Sequence, residues 1–237
     1  MKNKAPLISV VIPALNEEKY IKYPLSGLRK QNFHDFETIV VDGGSKDKTR
    51  AIARKDAKVV IDLKKGPGAS RNRGAKESKG RILVFLDADT QPSSGLLEAY
   101  SNAFKKKGVV AATGPIYPLE KTGSFINWGY RFVSVHFVKF TILIGMPSVV
   151  GSNFAVRSDV FSKVHGFDPK LLTYEDWDLS MKLKRLGSII YVNDATVKTS
   201  ARRVVAWGVW GYFAYHVINM FMYNLFKTSR KNYKTIR

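Results

Sequence analysis

The sequence predicts an α/β protein whose mostly parallel sheet carries helices on both faces and is followed by carboxy-terminal amphipathic, interfacial helices. Three observations carry this prediction. Short Val- and Ile-rich runs alternate with helical patterns through the first half of the 237-residue chain. These runs are near-continuously apolar, as strands buried on both faces are. Polar segments follow directly on three of them, at the carboxyl ends where ligands of such sheets collect.

Residues 7–12 form the first predicted strand, closed by Pro13, and 17–30 the first helix. A strand at 37–41 and a helix at 46–56 follow. Strand and helix pairs continue at 59–63 with 69–78 and at 82–86 with 95–107, and 109–114 adds a short strand. The apolar run after Lys2 and Lys4 is too short for a signal-peptide core, so no targeting peptide is expected.

From about Tyr117 the alternation fades, and aromatic residues interleave with single basic ones. Residues 132–146 are apolar but contain His136 and Lys139 and end at Pro147, which predicts a buried or interfacial helix rather than a membrane span. Residues 207–226 are mostly aromatic and aliphatic, and Lys227, Arg230, Lys231, Lys234 and Arg237 follow them. That pattern predicts contact with an anionic membrane surface; packing on the domain itself or on a second subunit is the competing reading.

Composition limits the function classes. A hydrophobic content of 45% supports a packed core, and the absence of cysteine excludes disulfides and thiolate chemistry while permitting a reducing compartment. The formal charge of +20 points to anionic partners, whether nucleic acid, membrane or phosphorylated substrates.

The run 81–91 holds the densest chemistry, because a buried strand ends in Asp87-Ala88-Asp89-Thr90-Gln91. Alternation along an extended chain lets Asp87 and Asp89 project the same way, with Gln91 a third oxygen ligand if extension persists. Such oxygen ligands suit Mg²⁺ or Mn²⁺, which takes few protein carboxylates and completes its shell with substrate phosphates. The competing reading is an ordinary strand-ending turn.

Three segments occur in order, each after a strand: 9–18 (Ser-Val-Val-Ile-Pro-Ala-Leu-Asn-Glu-Glu), 40–49 (Val-Val-Asp-Gly-Gly-Ser-Lys-Asp-Lys-Thr) and 86–89 (Leu-Asp-Ala-Asp). Together with Ala69-Ser70-Arg71-Asn72-Arg73-Gly74 they resemble the family 2 glycosyltransferases, nucleotide-sugar enzymes of the GT-A fold. The resemblance covers about 7–203 and implies a nucleotide-sugar half at 1–116, an acceptor half at 117–203 and a membrane-associating tail at 204–237. It implies that Pro13, Leu15 and Glu17 contact the nucleoside, that Asp42 binds the base in the loop containing Gly44, and that Arg71 lies near the same nucleotide. Many relatives carry a second acid where this chain has Gly43, which leaves UDP- and GDP-linked donors both open. Asp87, Ala88 and Asp89 would line the diphosphate and metal site, which also resembles that of dolichol-phosphate mannose synthases.

Residues 151–157, 166–168 and 174–179 resemble the family's acceptor half. The resemblance implies that Asp176 is the base that deprotonates an acceptor hydroxyl, with Glu175, Trp177 and Arg157 on the acceptor side. Thr173-Tyr174-Glu175-Asp176 also approximates a helix-capping box, the competing structural reading. Arg203, in Ser200-Ala201-Arg202-Arg203, lies where a guanidinium would reach the diphosphate. The expected protein is an inverting, metal-dependent glycosyltransferase at the cytoplasmic face of the cell membrane, peripheral or monotopic, using a lipid-linked hydroxyl acceptor. A polyprenyl phosphate acceptor met by Arg131, Lys139 or Arg157 is the alternative. A nucleic-acid module or a silent membrane scaffold would leave the acids unexplained.

Overall fold

The computed structural model describes residues 5–64, 66–208, 211, 218 and 223. Among these residues the strands are β1 (Ile8–Ala14), β2 (Phe36–Asp42), β3 (Lys58–Ile61), β4 (Ile82–Leu86), β5 (Thr90–Pro92), β6 (Val109–Thr113), β7 (Ile116–Pro118), β8 (Asn153–Arg157), β9 (Ser188–Tyr191) and β10 (Val197–Thr199). The helices are α1 (Lys22–Arg29), α2 (Thr49–Ala53), α3 (Pro67–Glu77), α4 (Leu96–Ala103), α5 (Ser124–Arg131), α6 (Val138–Leu143), α7 (Ser158–Lys163) and α8 (Glu175–Lys184). A π-helical stretch, Phe132–Phe137, joins α5 to α6.

Seven strands form the main sheet in the order β3-β2-β1-β4-β8-β6-β9, and β5, β10 and β7 form a small second one. Helical crossovers make β1, β2, β3 and β4 mutually parallel, whereas β8 runs antiparallel between β4 and β6. Every residue of β4 is buried, because strands flank it and side chains pack on both faces. Alternate residues feed two cores: Val10, Ile12, Val84 and Leu86 pack with Tyr100 on one face, and Val11 and Phe85 pack with Phe154, Phe161 and Phe167 on the other.

Three predicted helices are shorter than their sequence patterns, 17–30 being helical at Lys22–Arg29, 46–56 at Thr49–Ala53 and 95–107 at Leu96–Ala103, whereas 69–78 is helical at Pro67–Glu77. The antiparallel β8 and the small sheet lie outside the predicted alternation. The tail predicted at 204–237 lies largely outside the described residues, as does most of 207–226.

Helix α3 reaches the sheet through small residues. A methyl group at Gly74 would overlap the Val11 side chain and meet Val41 at 3.0 Å. Gly74→Ala is therefore expected to lower unfolding stability by about 1–3 kcal/mol, because overpacking outweighs the helix-propensity gain of about 1 kcal/mol. Urea unfolding followed by circular dichroism measures it.

The stretch 124–143 packs on β7 and β9 through a narrow side of mixed polarity. Ser134, Val138 and Thr141 are its buried residues, and Ser134 Oγ donates to the Ile116 carbonyl at 2.8 Å. The expectation for 132–146 thus resolves away from burial: its large apolar side chains face outward. No helix among the described residues is long and apolar enough to cross a membrane.

Candidate active site

The carboxyl ends of β1, β2 and β4 meet at one edge. Ala14 pairs with Asp42 and Val11 with Phe85, so continuing the register sets Asp87 level with Pro13. Because β8 is antiparallel, its first residue, Asn153, pairs with Leu86, which brings the preceding turn, including Gly151, beside Asp87. A side chain at Gly151 would strike Arg71 Nη2 at 2.7 Å, so only glycine lets the turn approach this closely.

Arg71 lies at the centre. Its side chain is 4% exposed, and Nη2 donates to Asp87 Oδ1 at 2.7 Å while Nη1 donates to Glu175 Oε1 at 2.9 Å. Its guanidinium lies over the Phe167 ring, 5.5 Å from the centroid. The next residue, Asn72, exchanges two hydrogen bonds with the backbone of Phe167, at 2.7 and 2.9 Å. Arg71 and Asn72 therefore tie the strand-end acids to the segment that precedes α8. The sequence places Arg71 beside the nucleotide; in the structure its guanidinium is a buried strut between two carboxylates.

Helix α8 begins at Glu175, after Tyr174 in a left-handed conformation with φ of 68°. Tyr174 holds the cap position without a side-chain cap bond, so the first-turn acids have other partners. Asp176 accepts from the Gly151 amide at 3.3 Å and the Trp177 amide at 2.8 Å. Burial raises the Asp176 carboxyl above its ordinary range, against the pull of Arg71 and these amides. Glu175 is pushed up to about 7, first by burial and then by the charge of Asp176, with Arg71 opposing. Trp177 is half-buried, its ring 6.3 Å from that of Tyr174.

Asp87 keeps 36% of its side chain exposed, and its Oδ2 has no hydrogen-bond partner among the described residues. Asp89 accepts from Thr199 Oγ1 at 3.3 Å and from Arg202 Nη2 at 3.1 Å. Burial and the neighbouring Asp87 charge push Asp89 up to about 6, against Arg202 and Arg203. Two carboxylates repelling one another at a partly open strand end form a hard-oxygen pair that fits a Mg²⁺ or Mn²⁺ ion. Among the described residues no third acid or histidine joins them. Gln91 does not complete the set. The Thr90 amide donates to the Asp87 carbonyl at 3.1 Å, so the chain turns where extension would be needed. Gln91 then pairs with Lys198, between buried Thr90 and Pro92, and alternation directs its side chain away from Thr199 and Asp89.

The residues expected on the nucleoside side gather at the ends of β1 and β2. Pro13 is half-buried, Leu15 is exposed, Ala88 is buried, and Gly44 turns the chain at φ of 94° against Leu63. Asp42 is fully buried. Arg50 donates to its Oδ2 through Nε at 2.9 Å and Nη2 at 2.6 Å, and the Ser45 amide approaches Oδ1 at 3.2 Å. Burial works against the Asp42 charge, yet the hydrogen bonds from Ser45 and Arg50 outweigh it and hold the carboxyl below its ordinary value. Glu17 accepts two bonds from Arg202, at 2.9 and 2.7 Å, and the Arg202 guanidinium lies 4.5 Å from the Tyr20 ring centroid. Arg202 thus touches Asp89, and Arg203 adds to the field at that carboxylate.

Arg157 is corrected outright. It pairs with Ile82 at the opposite end of β4, and its guanidinium donates to the carbonyls of Val109 at 2.7 Å and Phe104 at 2.9 Å. It clamps the sheet and faces no acceptor. Arg50 and Arg202 are the site residues that sequence reasoning passed over. A buried acid at the end of β2 signals that a cation must stand nearby, but nothing in the spacing selects Arg50 from 39 basic residues.

The sequence profile described as "Glycosyl transferase family 2" matches residues 9–164, which include the ends of β1, β2 and β4. The chain belongs to glycosyl transferase family 2. The family match joins the nucleoside-side loops, the Asp87 and Asp89 pair and the β8 turn in one segment. The chain is 31% identical over 213 residues to glycosyltransferase AglE of Haloferax volcanii, covering 82% of this chain and 67% of that protein. It spans 64% of a similar uncharacterised glycosyltransferase from Rickettsia typhi. Among solved structures, S. aureus TarS 1–349 in complex with UDP-GlcNAc is similar, with a TM-score of 0.68, 24% identity and coverage of 81% of this chain and 58% of that one. The mannosyltransferase PcManGT from Pyrobaculum calidifontis, in complex with GDP-Man and Mn²⁺, gives a TM-score of 0.65 at 18% identity, covering 91% of this chain and 65% of that one. These likenesses place this family member in the GT-A fold.

Proposed function

We propose that this chain is an inverting glycosyltransferase that moves a sugar from a UDP- or GDP-linked donor to the hydroxyl of a membrane-associated, lipid-linked acceptor. The observation that carries the reading is Arg71, whose one guanidinium holds Asp87 at 2.7 Å and Glu175 at 2.9 Å. Donor-side and acceptor-side acids then share a single buried cation, as a transfer between two substrates at one edge requires. The complexes with UDP-GlcNAc and GDP-Man reported for TarS and PcManGT support a nucleotide-sugar donor here.

In this mechanism the loop of Pro13, Leu15 and Glu17 holds the nucleoside, with the Asp42–Arg50 pair offering both charges to the polar edge of the base. Asp176 accepts the proton of the attacking hydroxyl, and its raised carboxyl suits a base working near neutral pH. Arg203, and Arg202 once released from Glu17, would neutralise charge building on the departing diphosphate. A Mg²⁺ or Mn²⁺ ion held by Asp87 and Asp89 would supply Lewis-acid stabilisation of that diphosphate. Because Arg157 is engaged at the far end of the sheet, one cation of the polyprenyl-phosphate alternative is lost, and Asp176 favours a hydroxyl acceptor.

Calorimetry with UDP- and GDP-sugars, with and without Mn²⁺, tests the donor site. Binding is expected to tighten with metal, and Asp89→Ala should remove at least about tenfold of that gain, since one of only two carboxylate ligands is lost. Donor affinity indifferent to metal, or an Asp89→Ala variant that keeps the full gain, would sink the metal assignment.

A further inference from the structure

We infer that the outward face of the helical stretch 124–143 docks the protein on an anionic lipid bilayer. Six large apolar side chains stand along it at helical spacing: Phe125, Trp128, Phe132, Phe137, Phe140 and Leu143. Each is about half exposed or more, from 47% at Phe132 to 84% at Leu143. Phe125, Trp128 and Phe132 form a continuous stack, with centroids 6.3 and 5.3 Å apart. Single exposed apolar residues are ordinary on a water-facing surface, but a contiguous row of this length marks an interaction site. The domain-facing side is narrow and mixed: Val138 is buried between Ser134 and Thr141, Ser134 donates to Ile116, and Tyr191 donates to the Ser134 carbonyl at 2.9 Å. Most of the large apolar surface of the stretch thus faces away from the protein's own core, unlike a helix that buries its apolar stripe.

Charge selects the occupant. No acid occurs between Glu120 and Asp159, whereas Lys121, Arg131 and Lys139 stand on or beside the helix. At its far end Lys184 Nζ donates to the Gly145 carbonyl, next to Arg185 and the exposed Leu186. A basic rim around an aromatic face is the composition of an interfacial helix on anionic lipid. A second copy of a chain carrying +20 would bring like charge to the same face.

The docked stretch leads straight to the chemistry. Residues 145–151 run back along α8, from Lys184 past Ser180 to Asp176, so α8 links the docked stretch at one end to the proposed base at the other. The purpose of docking rests on the lipid-linked acceptor proposed above, but docking itself is read independently of catalysis.

Sedimentation of the full chain with sucrose-loaded phosphatidylcholine vesicles, with and without phosphatidylglycerol, tests it. The wild type should partition preferentially to the anionic vesicles. The triple variant Trp128→Ser, Phe132→Ser, Phe137→Ser should lose at least about tenfold in partitioning, with circular dichroism and nucleotide-sugar binding unchanged. If that variant misfolds, the double variant Lys121→Ser, Arg131→Ser carries the test: it should weaken binding to the anionic vesicles alone. Undiminished vesicle binding by the folded triple variant, or by the double variant, would overturn the inference. So would equal wild-type binding to both vesicle types, or a stable dimer abolished by the triple variant when vesicles do not bind. Retained nucleotide-sugar binding in the variants separates a failure of docking from a failure of the transferase reading.

Discussion

Asp176→Asn is expected to lower sugar transfer to a hydroxyl acceptor by about 10²–10⁴-fold while leaving donor affinity within a few-fold of wild type. Asparagine keeps the shape of the side chain, but its one oxygen can replace only one of the two carboxylate oxygens that accept from Gly151 and Trp177, so a stability loss of about 1 kcal/mol accompanies the loss of the proton acceptor. The pH dependence adds a second readout. Burial raises the Asp176 carboxyl, and a base must be ionised, so wild-type kcat/KM should climb as pH rises from the acid side. In the asparagine variant the residual rate should lose that limb. Steady-state transfer across pH measures both effects, and a variant with wild-type turnover would remove Asp176 from the role of base.

Arg71→Met is expected to destabilise the fold by about 3 kcal/mol, the low end for breaking a buried ion pair, because Asp87 is partly exposed and can rehydrate. Glu175 cannot do so, being 10% exposed. Without Arg71 its carboxyl moves further above the value of about 7 that burial and Asp176 already impose. The sign follows: the folded variant binds the Glu175 proton more tightly than the unfolded chain does, so its stability falls as pH rises through this range. The deficit against wild type should therefore be larger at pH 8 than at pH 6. Adding Glu175→Gln to Arg71→Met should recover part of the loss and flatten the pH dependence. Urea unfolding of the four proteins at both pH values closes the double-mutant cycle; equal deficits at both pH values would mean that Arg71 serves packing alone.

The first half of the fold was legible because its strands are buried on both faces and announce themselves as continuous apolar runs. Asp42, Asp87 and Asp89 each follow such a run, which is why the donor edge could be drawn from residue order. The second half hid β8. Its five residues are no more apolar than a short helix, and its antiparallel placement depends on pairings with Leu86 and Ala111 to Thr113 that no local pattern encodes. That placement also explains the error at Arg157, which the resemblance of 151–157 to the family's acceptor half put on the acceptor side. A strand of five residues carries its two ends to opposite edges of the sheet. Gln91 failed for a related reason: strand alternation was extended through Asp87–Thr90, where the backbone turns. Arg202 and Arg203 are neighbours with the same chemistry, and only the start of the helix at 202–208 decides which guanidinium reaches Asp89.

The placement of β8 has a consequence for how such a protein can diversify. Leu86 and Asn153 are partners in one hydrogen-bonded ladder, so the separation between the donor edge and the Gly151 turn is set by strand register and needs no hinge between lobes. The connection 119–150, with its helical stretch at 124–143, can change in its turns without altering the spacing at which β4 and β8 meet. Under the proposed transferase reading, acceptor preference would be a modular property of this framework, open to exchange by grafting that segment, whereas a one-residue slip in β8 would misalign every partner at once.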